Sequence, residues 1–200
     1  MHAPRLILAS GSPRRSEVLR RLGLEFEVRV PAVDESLEAG EPPDAAAERL
    51  ARLKARSRVE EGALTLGCDT LVVHAGEVLG KPDSPRVAVE MVRRLAGQEH
   101  RVYTGIALAT PDRVEAAVER TRVWFRSLDP RECEEYVATG EPMDKAGAYG
   151  IQGYGAAIVR RIEGDYFNVM GLPIQRFLGL LGRFGWRYAY GRLVRVGAPS

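Results

Sequence analysis

Segments typical of strands and of helices alternate along the 200-residue chain, and this alternation constrains its fold most. The apolar run at residues 5–10 predicts a strand, and Ser12 with Pro13 predicts the start of a helix directly after it. The alternation of LEFEVRV at residues 24–30 predicts a further, half-buried strand. The middle of the chain instead predicts paired strands, as a hairpin with an Ala-Gly turn over residues 64–80 and two further strands within residues 101–127. Helices interleaved with hairpins favour the α/β class with a mixed sheet.

Length and composition indicate a single globular domain over residues 1–200, with room for two lobes. No apolar run approaches the roughly 18 residues that span a bilayer, and the N-terminus lacks the long apolar segment of a signal peptide. The two cysteines, Cys68 and Cys133, form no CxxC motif and indicate a reducing compartment, although a disulfide between them stays compatible with the sequence. We therefore expect a cytoplasmic protein that does not bind membranes.

The segment SGSPRR at residues 10–15 is a candidate anion-binding site. Where a strand turns into a helix, free backbone N–H groups and the positive end of the helix dipole point at one spot. Ser10 and Ser12 add hydroxyl groups, and Arg14 and Arg15 add forked cations suited to phosphate. The two arginines should repel each other and the dipole, unless a polyanion binds there. The same residues also suit a capped surface helix with two solvated arginines.

Only three of the 29 basic residues are lysines, and each lies at a distinctive place. Lys54 shares the apolar stripe of a predicted helix with Leu50 and Ala51, so it faces the core or snorkels past its edge. Lys81 lies on a turn after a predicted strand, and Lys145 lies in a glycine-rich loop. Lysine is a compact point charge and arginine a wide planar fork, so the three lysines could lie where arginine does not serve. The alternative is chance, since three is a small number.

Three carboxylates accompany these cations. Asp34 and Glu35 lie in a loop after a predicted strand, and Asp69 lies within the apolar segment GCDTLVV. A buried carboxylate is costly unless a cation, a metal ion or hydrogen-bond donors compensate it, so Asp69 requires a partner. Cations that hold phosphates, with carboxylates that hold Mg²⁺ and activate water, would support metal-assisted chemistry on phosphate.

Seven motifs, in order from about Leu6 to Pro173, resemble the Maf family of nucleotide pyrophosphatases. They are SGSPRR, DES, LARLKA, GCDTLVV, GKPDSP, VYTGIAL and GEPMDKAGAYGIQGYGA. This family is structurally similar to the inosine triphosphate pyrophosphatases. The resemblance implies a two-lobed α/β fold with an elongated mixed sheet and a cleft, and it suggests a homodimer.

The resemblance also assigns roles to the residues that match the family's motifs. Those that would bind a nucleoside triphosphate are Ser10, Ser12, Arg14, Arg15, Thr70 and Gln152. Those that would carry out catalysis are Glu35, Lys54, Asp69 and Lys81. Asp69 matches the general base, and Glu35 and Asp69 would hold a divalent cation, Mg²⁺ or Mn²⁺. Cys68 stands where alanine is usual in the family, and we expect no functional change from it because both residues are small and apolar.

The run from Asp144 to Gly153 resembles the Maf group that acts on dTTP and UTP. The amide of Gln152 offers a donor and an acceptor, which suit the O4 and N3–H edge of thymine or uracil. Arg14 and Thr70 match further positions that set the family's specificity. The implied reaction hydrolyses the bond between the α- and β-phosphates and releases a nucleoside monophosphate and pyrophosphate. Modified pyrimidine nucleotides are further substrates to consider, and a preference for 7-methyl-GTP, as in the sister group, is an alternative.

A second alternative is not enzymatic. The family has been linked to arrest of cell division and septum formation, so the chain could be a nucleotide-binding regulator. Glu35 and Asp69 argue against this, because a pure phosphate binder gains little from acids that face a polyanion. The basic segment 186–200 contains three aromatic residues and could be a nucleic-acid-binding arm. We favour an ordinary C-terminal extension packed on the domain, and we do not expect nucleic acid as a partner.

Overall fold

The structure, a computed structural model, describes residues 4–197. The strands are β1 (Arg5–Ala9), β2 (Glu27–Val28), β3 (Ala63–His74), β4 (Glu77–Leu79), β5 (Glu99–Ala109), β6 (Val114–Phe125), β7 (Val159–Glu163), β8 (Trp186–Tyr188) and β9 (Leu193–Arg195). The helices are α1 (Pro13–Arg21), α2 (Pro43–Arg56), α3 (Pro85–Leu95), α4 (Pro130–Ala138), α5 (Tyr166–Val169) and α6 (Ile174–Arg183). The two ends of the predicted domain, including the last three residues of the C-terminal extension, lie outside the described residues.

Seven strands form one sheet in the order β2-β1-β3-β5-β6-β7, with β4 paired to β3. Strand β1 is parallel to β2 and to β3, whereas the β3–β4 and β6–β7 pairs are antiparallel. The predicted α/β class with a mixed sheet is therefore confirmed. None of the helices within residues 4–197 combines the length and the apolarity that a membrane crossing requires.

The chain divides into two compact units, each built from separate stretches of sequence. The first unit contains the residues up to Asp69, the stretch Thr104–Glu119 and the residues from Gly171 onward. The second unit contains Thr70–Tyr103 and Arg120–Met170. Each unit therefore depends on contacts between residues that are far apart in the chain.

In the first unit, the backbone of helix α2 lies directly against the sheet. Most residues on its buried face are alanines, and the strands present glycines to it. A Cβ atom added to Gly67 of β3 would lie 2.5 Å from the carbonyl oxygen of Ala51, and one added to Gly105 of β5 would lie 2.0 Å from that of Ala47. Both distances are too short for a side chain, so the helix can approach this closely only because these positions are glycine.

The second unit has an apolar core of its own, beneath helices with well-formed N-termini. Ser84 caps α3, and Asp129 caps α4. Three rings, those of His100, Phe125 and Tyr149, meet edge to face with centroids about 5 Å apart. The Nε2 atom of His100 lies 2.7 Å from the Tyr149 hydroxyl, and burial lowers the pKa of His100 to about 3. This imidazole is therefore neutral in the folded protein at ordinary pH.

The C-terminal segment forms a hairpin on the first unit. Strands β8 and β9 pair with each other, and the Tyr188 hydroxyl donates a 2.8 Å hydrogen bond to the carbonyl of Leu22. Gly191 approaches Gly23 closely, since a Cβ atom added to Gly23 would lie 3.0 Å from the Cα atom of Gly191. The hairpin thus packs on the chain directly after helix α1.

One predicted strand was too long, and one short helix was not predicted. Alternation over residues 24–30 predicted a longer strand than β2, which pairs with β1 over only two residues and is exposed. Strand β1 has five residues, but only Ile7 and Leu8 pair with β2, so alternation alone did not predict the length of this edge strand. The helix α5 was not predicted, although Asp165 caps its first turn by accepting a hydrogen bond from the Phe167 N–H.

Candidate active site

The turn between β1 and α1 has the predicted form. Ser12 occupies the N-cap position and Pro13 the first helical position. The Ser10 hydroxyl accepts hydrogen bonds from the Ser12 N–H at 3.2 Å and from Nη1 of Arg15 at 2.9 Å. The Ser12 side chain makes no capping hydrogen bond, and the first turn of the helix contains no acid. The helix N-terminus therefore keeps its positive character.

The two adjacent arginines lie in different environments. Arg15 is buried, and its Nε donates a 2.8 Å hydrogen bond to the carbonyl of Gly171. Arg14 is only half-buried. The alternative of two solvated arginines is therefore wrong for Arg15, because part of its guanidinium group ties the turn to a segment 156 residues away.

Lys54 joins two carboxylates in the same unit. Its Nζ lies 2.6 Å from Oδ1 of Asp69 and 2.7 Å from Oε2 of Glu35. Lys54 is 5% exposed and Asp69 6%, whereas the Glu35 side chain is 54% exposed. The prediction that Asp69 needs a partner is confirmed, and the alternative that Lys54 snorkels to solvent is wrong. The two buried charges compensate each other.

Close packing of α2 explains why Lys54 reaches Asp69. Asp69 follows Gly67 by two residues and therefore points to the same side of β3. Lys54 follows Ala51 by three residues on the buried face of α2. Because Ala51 contacts Gly67 backbone to backbone, the lysine one turn further along the helix lies above the carboxylate.

The loop before α2 separates its two acids. Asp34 accepts hydrogen bonds from the Ser36 N–H at 2.9 Å and from the Ser36 hydroxyl at 2.6 Å. These hydrogen bonds lower the pKa of Asp34. The next residue, Glu35, turns instead to Lys54, and Arg49 of α2 holds the loop by donating to the carbonyl of Ser36. Of the two acids, Glu35 therefore belongs to the site and Asp34 supports the loop.

The carboxylates of Asp69 and Glu35 suit a divalent cation that takes its other ligands from water and a substrate. Asp69 and Glu35 place two carboxylates around one ammonium group, which leaves a net negative charge of one. Within residues 4–197, no group of three or more His, Cys, Asp or Glu side chains could hold a metal ion. Mg²⁺ usually binds one or two protein carboxylates and completes its shell with water and substrate phosphates. The two carboxylates suit that mode of binding.

The other predicted site residues belong to the second unit. Thr70 follows Asp69 on β3, so it points to the opposite face of the strand. Lys81 is exposed on the turn after β4, and Gln152 is half-buried directly before a 3₁₀ turn. The N–H of Gly147 donates a 3.0 Å hydrogen bond to the carbonyl of Gly80. The turn that carries Lys81 and the segment that carries Gln152 thus meet within this unit.

Lys145, the third lysine, is held by its own loop. Its Nζ donates hydrogen bonds to the carbonyl of Glu141 and to Oδ1 of Asp144. Sequence reasoning gave no role to Glu141 or to the Gly171 carbonyl. Glu141 stands at the start of the GEPMDKAG motif, which was an available signal, whereas nothing in the sequence marks Gly171 as the acceptor for Arg15.

This arrangement defines a class of chemistry. A carboxylate held by a buried lysine can act as a base toward water, and cations at a helix N-terminus can stabilise negative charge on phosphates. The model of the family described as Maf-like protein matches residues 5–184. The chain belongs to the Maf family.

Three curated proteins that are similar to this chain have the same name. The chain is 55% identical over 186 residues to the dTTP/UTP pyrophosphatase of Moorella thermoacetica, covering 90% of this chain and 95% of that protein. It is 51% identical over 183 residues to the dTTP/UTP pyrophosphatase of Symbiobacterium thermophilum, covering 90% and 94%. It is 45% identical over 183 residues to that of a Geobacillus species, covering 90% and 98%.

Proposed function

We propose that this chain hydrolyses dTTP and UTP to the nucleoside monophosphate and pyrophosphate. The observation that carries the proposal is the buried Lys54 between Asp69 and Glu35. The names of the relatives from Moorella thermoacetica and Symbiobacterium thermophilum, both dTTP/UTP pyrophosphatases, support it. A regulator that only binds phosphate has no use for a buried carboxylate oriented by a lysine. Hydrolysis of these two nucleotides would clean the nucleotide pool, and modified pyrimidine nucleotides are further candidate substrates.

Asp69 is the residue to which we assign the proton transfer. Lys54 donates to its Oδ1, which orients the carboxylate and compensates its charge. The other oxygen, Oδ2, would accept a proton from the attacking water, and the water oxygen would form its new bond to the α-phosphorus. The bond to the bridging oxygen then breaks, and pyrophosphate leaves.

Cationic and N–H groups would bind the phosphates. Ser10 and Ser12 contribute hydroxyl and backbone donors, and Arg14 and Arg15 contribute positive charge at the start of α1. Because Arg15 already bonds to Ser10 and Gly171, we assign to it a fixed charge that shapes the turn, and to Arg14 the more direct contact. By its match to the family motif, we assign Lys81 to the leaving pyrophosphate.

Glu35 and Asp69 would hold a divalent cation, Mg²⁺ or Mn²⁺. When bound, the cation would offset the negative charge that develops on the phosphates. Glu35 is the more exposed of the two carboxylates and can reorient toward the ion, whereas the buried Asp69 is fixed by Lys54. We assign nucleobase recognition to Gln152, with Thr70 and Arg14 as further residues that set specificity.

A nucleotide panel with and without metal tests the proposal. We expect pyrophosphate release from dTTP and UTP in the presence of Mg²⁺ or Mn²⁺, and little release after chelation. The Asp69→Asn variant should lose at least about 10²-fold in kcat, as is typical for loss of a general base. Asp112→Asn, which changes an exposed carboxylate in the same unit, is the matched control and should behave as the wild type.

The same panel separates the alternatives. A clear preference for 7-methyl-GTP would contradict the role of Gln152, and the absence of release from every nucleotide would favour the regulator. Near-native turnover of Asp69→Asn at saturating metal would contradict the assignment of the base.

A further inference from the structure

We propose that Glu141 is a positioning residue that fixes the segment carrying Gln152 and thereby sets discrimination between nucleobases. This inference rests on the proposed function, since it concerns the recognition of thymine and uracil by that segment. Glu141 itself would not touch the substrate. It would act through the backbone on both sides of Gln152.

The carboxylate of Glu141 accepts three hydrogen bonds. Oε2 accepts from the N–H of Tyr154 at 2.8 Å. Oε1 accepts from the N–H of Gly155 at 2.9 Å and from the hydroxyl of Tyr136 at 3.0 Å. Two of the three donors are consecutive backbone groups that begin two residues after Gln152. An ionised carboxylate is the natural partner here, because both of its oxygens act as acceptors.

The other side of Gln152 is held through Tyr136. The hydroxyl of Tyr136, which donates to Glu141, also accepts a 3.2 Å hydrogen bond from the N–H of Gly150. The buried ring of Tyr136 belongs to the apolar core of the second unit, so this hydroxyl is a fixed point. Glu141 and Tyr136 thus hold the backbone at Gly150 and at Tyr154–Gly155, with Gln152 between them.

The glycines of the segment leave room for this contact. A Cβ atom at Gly153 would lie 2.3 Å from Oε2 of Glu141, and φ at Gly153 is +61°. A Cβ at Gly155 would lie 1.9 Å from the carbonyl oxygen of Gly150. The segment can therefore fold over the carboxylate only because both positions are glycine.

Lys145 makes a further contact with Glu141. Its Nζ donates to the backbone carbonyl of Glu141, and its Cε would lie 2.9 Å from a Cβ added to Gly150. The lysine therefore links the start of the motif to the residue two before Gln152. Glu141 thus bonds to Lys145 through its carbonyl and to Tyr154 and Gly155 through its carboxylate, and Gln152 lies between these positions.

The Glu141→Gln variant tests this role with little change of shape. A glutamine has one acceptor oxygen, and its NH₂ group would face the Tyr154 N–H or the donors at Oε1, where it cannot accept. We expect the amide that faces the new NH₂ group, that of Tyr154 or that of Gly155, to exchange hydrogen at least about tenfold faster, because its hydrogen bond is lost. Glu135→Gln is the matched control, since Glu135 of α4 pairs only with exposed Arg131 among the described residues.

Kinetics then link the segment to specificity. We expect kcat/KM for dTTP and UTP to fall at least about tenfold, mainly through KM, with a smaller change for dCTP, so that the preference over dCTP declines. Tyr136→Phe, which removes one donor to Oε1, should shift the same ratio in the same direction by less, and it covers the case in which Glu141→Gln fails to fold.

The outcomes are distinguishable. An unchanged dTTP-to-dCTP ratio in folded Glu141→Gln, or unchanged exchange at Tyr154 and Gly155, would overturn the inference. Faster exchange together with a lost preference would support it. If the wild-type chain released no pyrophosphate from dTTP or UTP, the proposed function would fail and the role in specificity with it. The exchange data would then still decide whether Glu141 holds the segment.

Discussion

Replacing Lys54 with methionine tests the charge compensation at the centre of the site. Methionine keeps most of the length and apolar volume of the lysine stem but removes the ammonium group that bonds to Asp69 and Glu35. Asp69 then remains as a buried carboxylate without a cation at 2.6 Å. Glu35 is half-exposed, so water can solvate it after the change.

The expected loss of stability in Lys54→Met follows from the burial of Lys54 and Asp69. The Lys54 and Asp69 side chains are 7% and 9% exposed, and breaking a buried ion pair costs about 3–5 kcal/mol. Loss of the contact with exposed Glu35 should add no more than about 1 kcal/mol. For a chain of this size, about 1 kcal/mol corresponds to roughly 2–4 °C in Tm, so 3–5 kcal/mol lowers Tm by roughly 6–20 °C.

A double-variant cycle with Asp69→Asn isolates the pair. Stability is measured by urea unfolding of the wild type, Lys54→Met, Asp69→Asn and the double variant. The double variant contains no buried charge at this place, so we expect a coupling free energy of at least about 1.5 kcal/mol. Arg56→Met, on the exposed side of the same helix, is the control and should change stability by less than about 0.5 kcal/mol.

Activity gives the second readout. The double variant should recover stability but remain inactive, because the proposed base, Asp69, and its partner Lys54 are both absent. If Lys54→Met cost the same free energy in the wild-type and Asp69→Asn backgrounds, the two side chains would not be coupled, and the reasoning from charge compensation would be refuted.

Three further predictions concern packing, pH and thiol reactivity. In Gly67→Ala the new Cβ would lie 2.5 Å from the Ala51 carbonyl oxygen, so α2 must move away by roughly 0.9 Å to reach the 3.4 Å of ordinary contact. This change should lower the free energy of unfolding by about 1–3 kcal/mol and lower kcat/KM, whereas Gly179→Ala, with nothing within 4 Å, should do neither. Equal effects of the two variants in urea unfolding and in kinetics would contradict the packing argument. The pKa of His100 is about 3 in the folded chain and about 6.5 in the unfolded chain. Between these pH values only the unfolded chain binds the proton, so the free energy of unfolding falls as pH falls from 6.5 towards 3. At pH 5 the loss is roughly 2 kcal/mol. Urea unfolding between pH 7 and 5 should show this loss reduced in His100→Gln, and an unchanged slope would count against the assignment. Burial raises the pKa of the Cys68 thiol to about 11, so a thiol reagent at pH 8 should modify Cys68 only after unfolding, and rapid modification of this residue in the native protein would contradict its burial.

Local chemistry made part of the site predictable. Lys54 was placed on a buried helix face by its spacing from Leu50 and Ala51, and Asp69 was expected to need a partner because an apolar strand surrounds it. That these two residues are each other's partners could not be predicted, because the contact depends on how closely α2 approaches β3. The approach is set by glycine at position 67, and a glycine within a strand pattern has several meanings.

The contacts of the other residues could not be predicted from the sequence, because they join positions that are far apart in the chain. Arg15 was expected at the phosphates on the strength of its neighbours, but its Nε bonds to Gly171, and no local pattern carries that information. For Glu141 the motif GEPMDKAG is a local signal, but the motif does not indicate its partners, since the donors lie 13 and 14 residues further along the chain. Strand β2 shows the opposite error, because the alternation over residues 24–30 is a valid local signal, but only two of these residues pair with β1.

The bond between Arg15 and the Gly171 carbonyl also affects the order in which the protein can mature during synthesis. The two residues are 156 positions apart. At about 5–20 residues per second, the turn of residues 10–15 waits roughly 8–31 s on the ribosome before its acceptor is made. The hairpin that braces the chain after α1 is made later still. A nascent or truncated chain that ends before Gly171 therefore lacks this anchor of the turn at residues 10–15, and we expect the proposed nucleotide hydrolysis to begin only after Gly171 has been made.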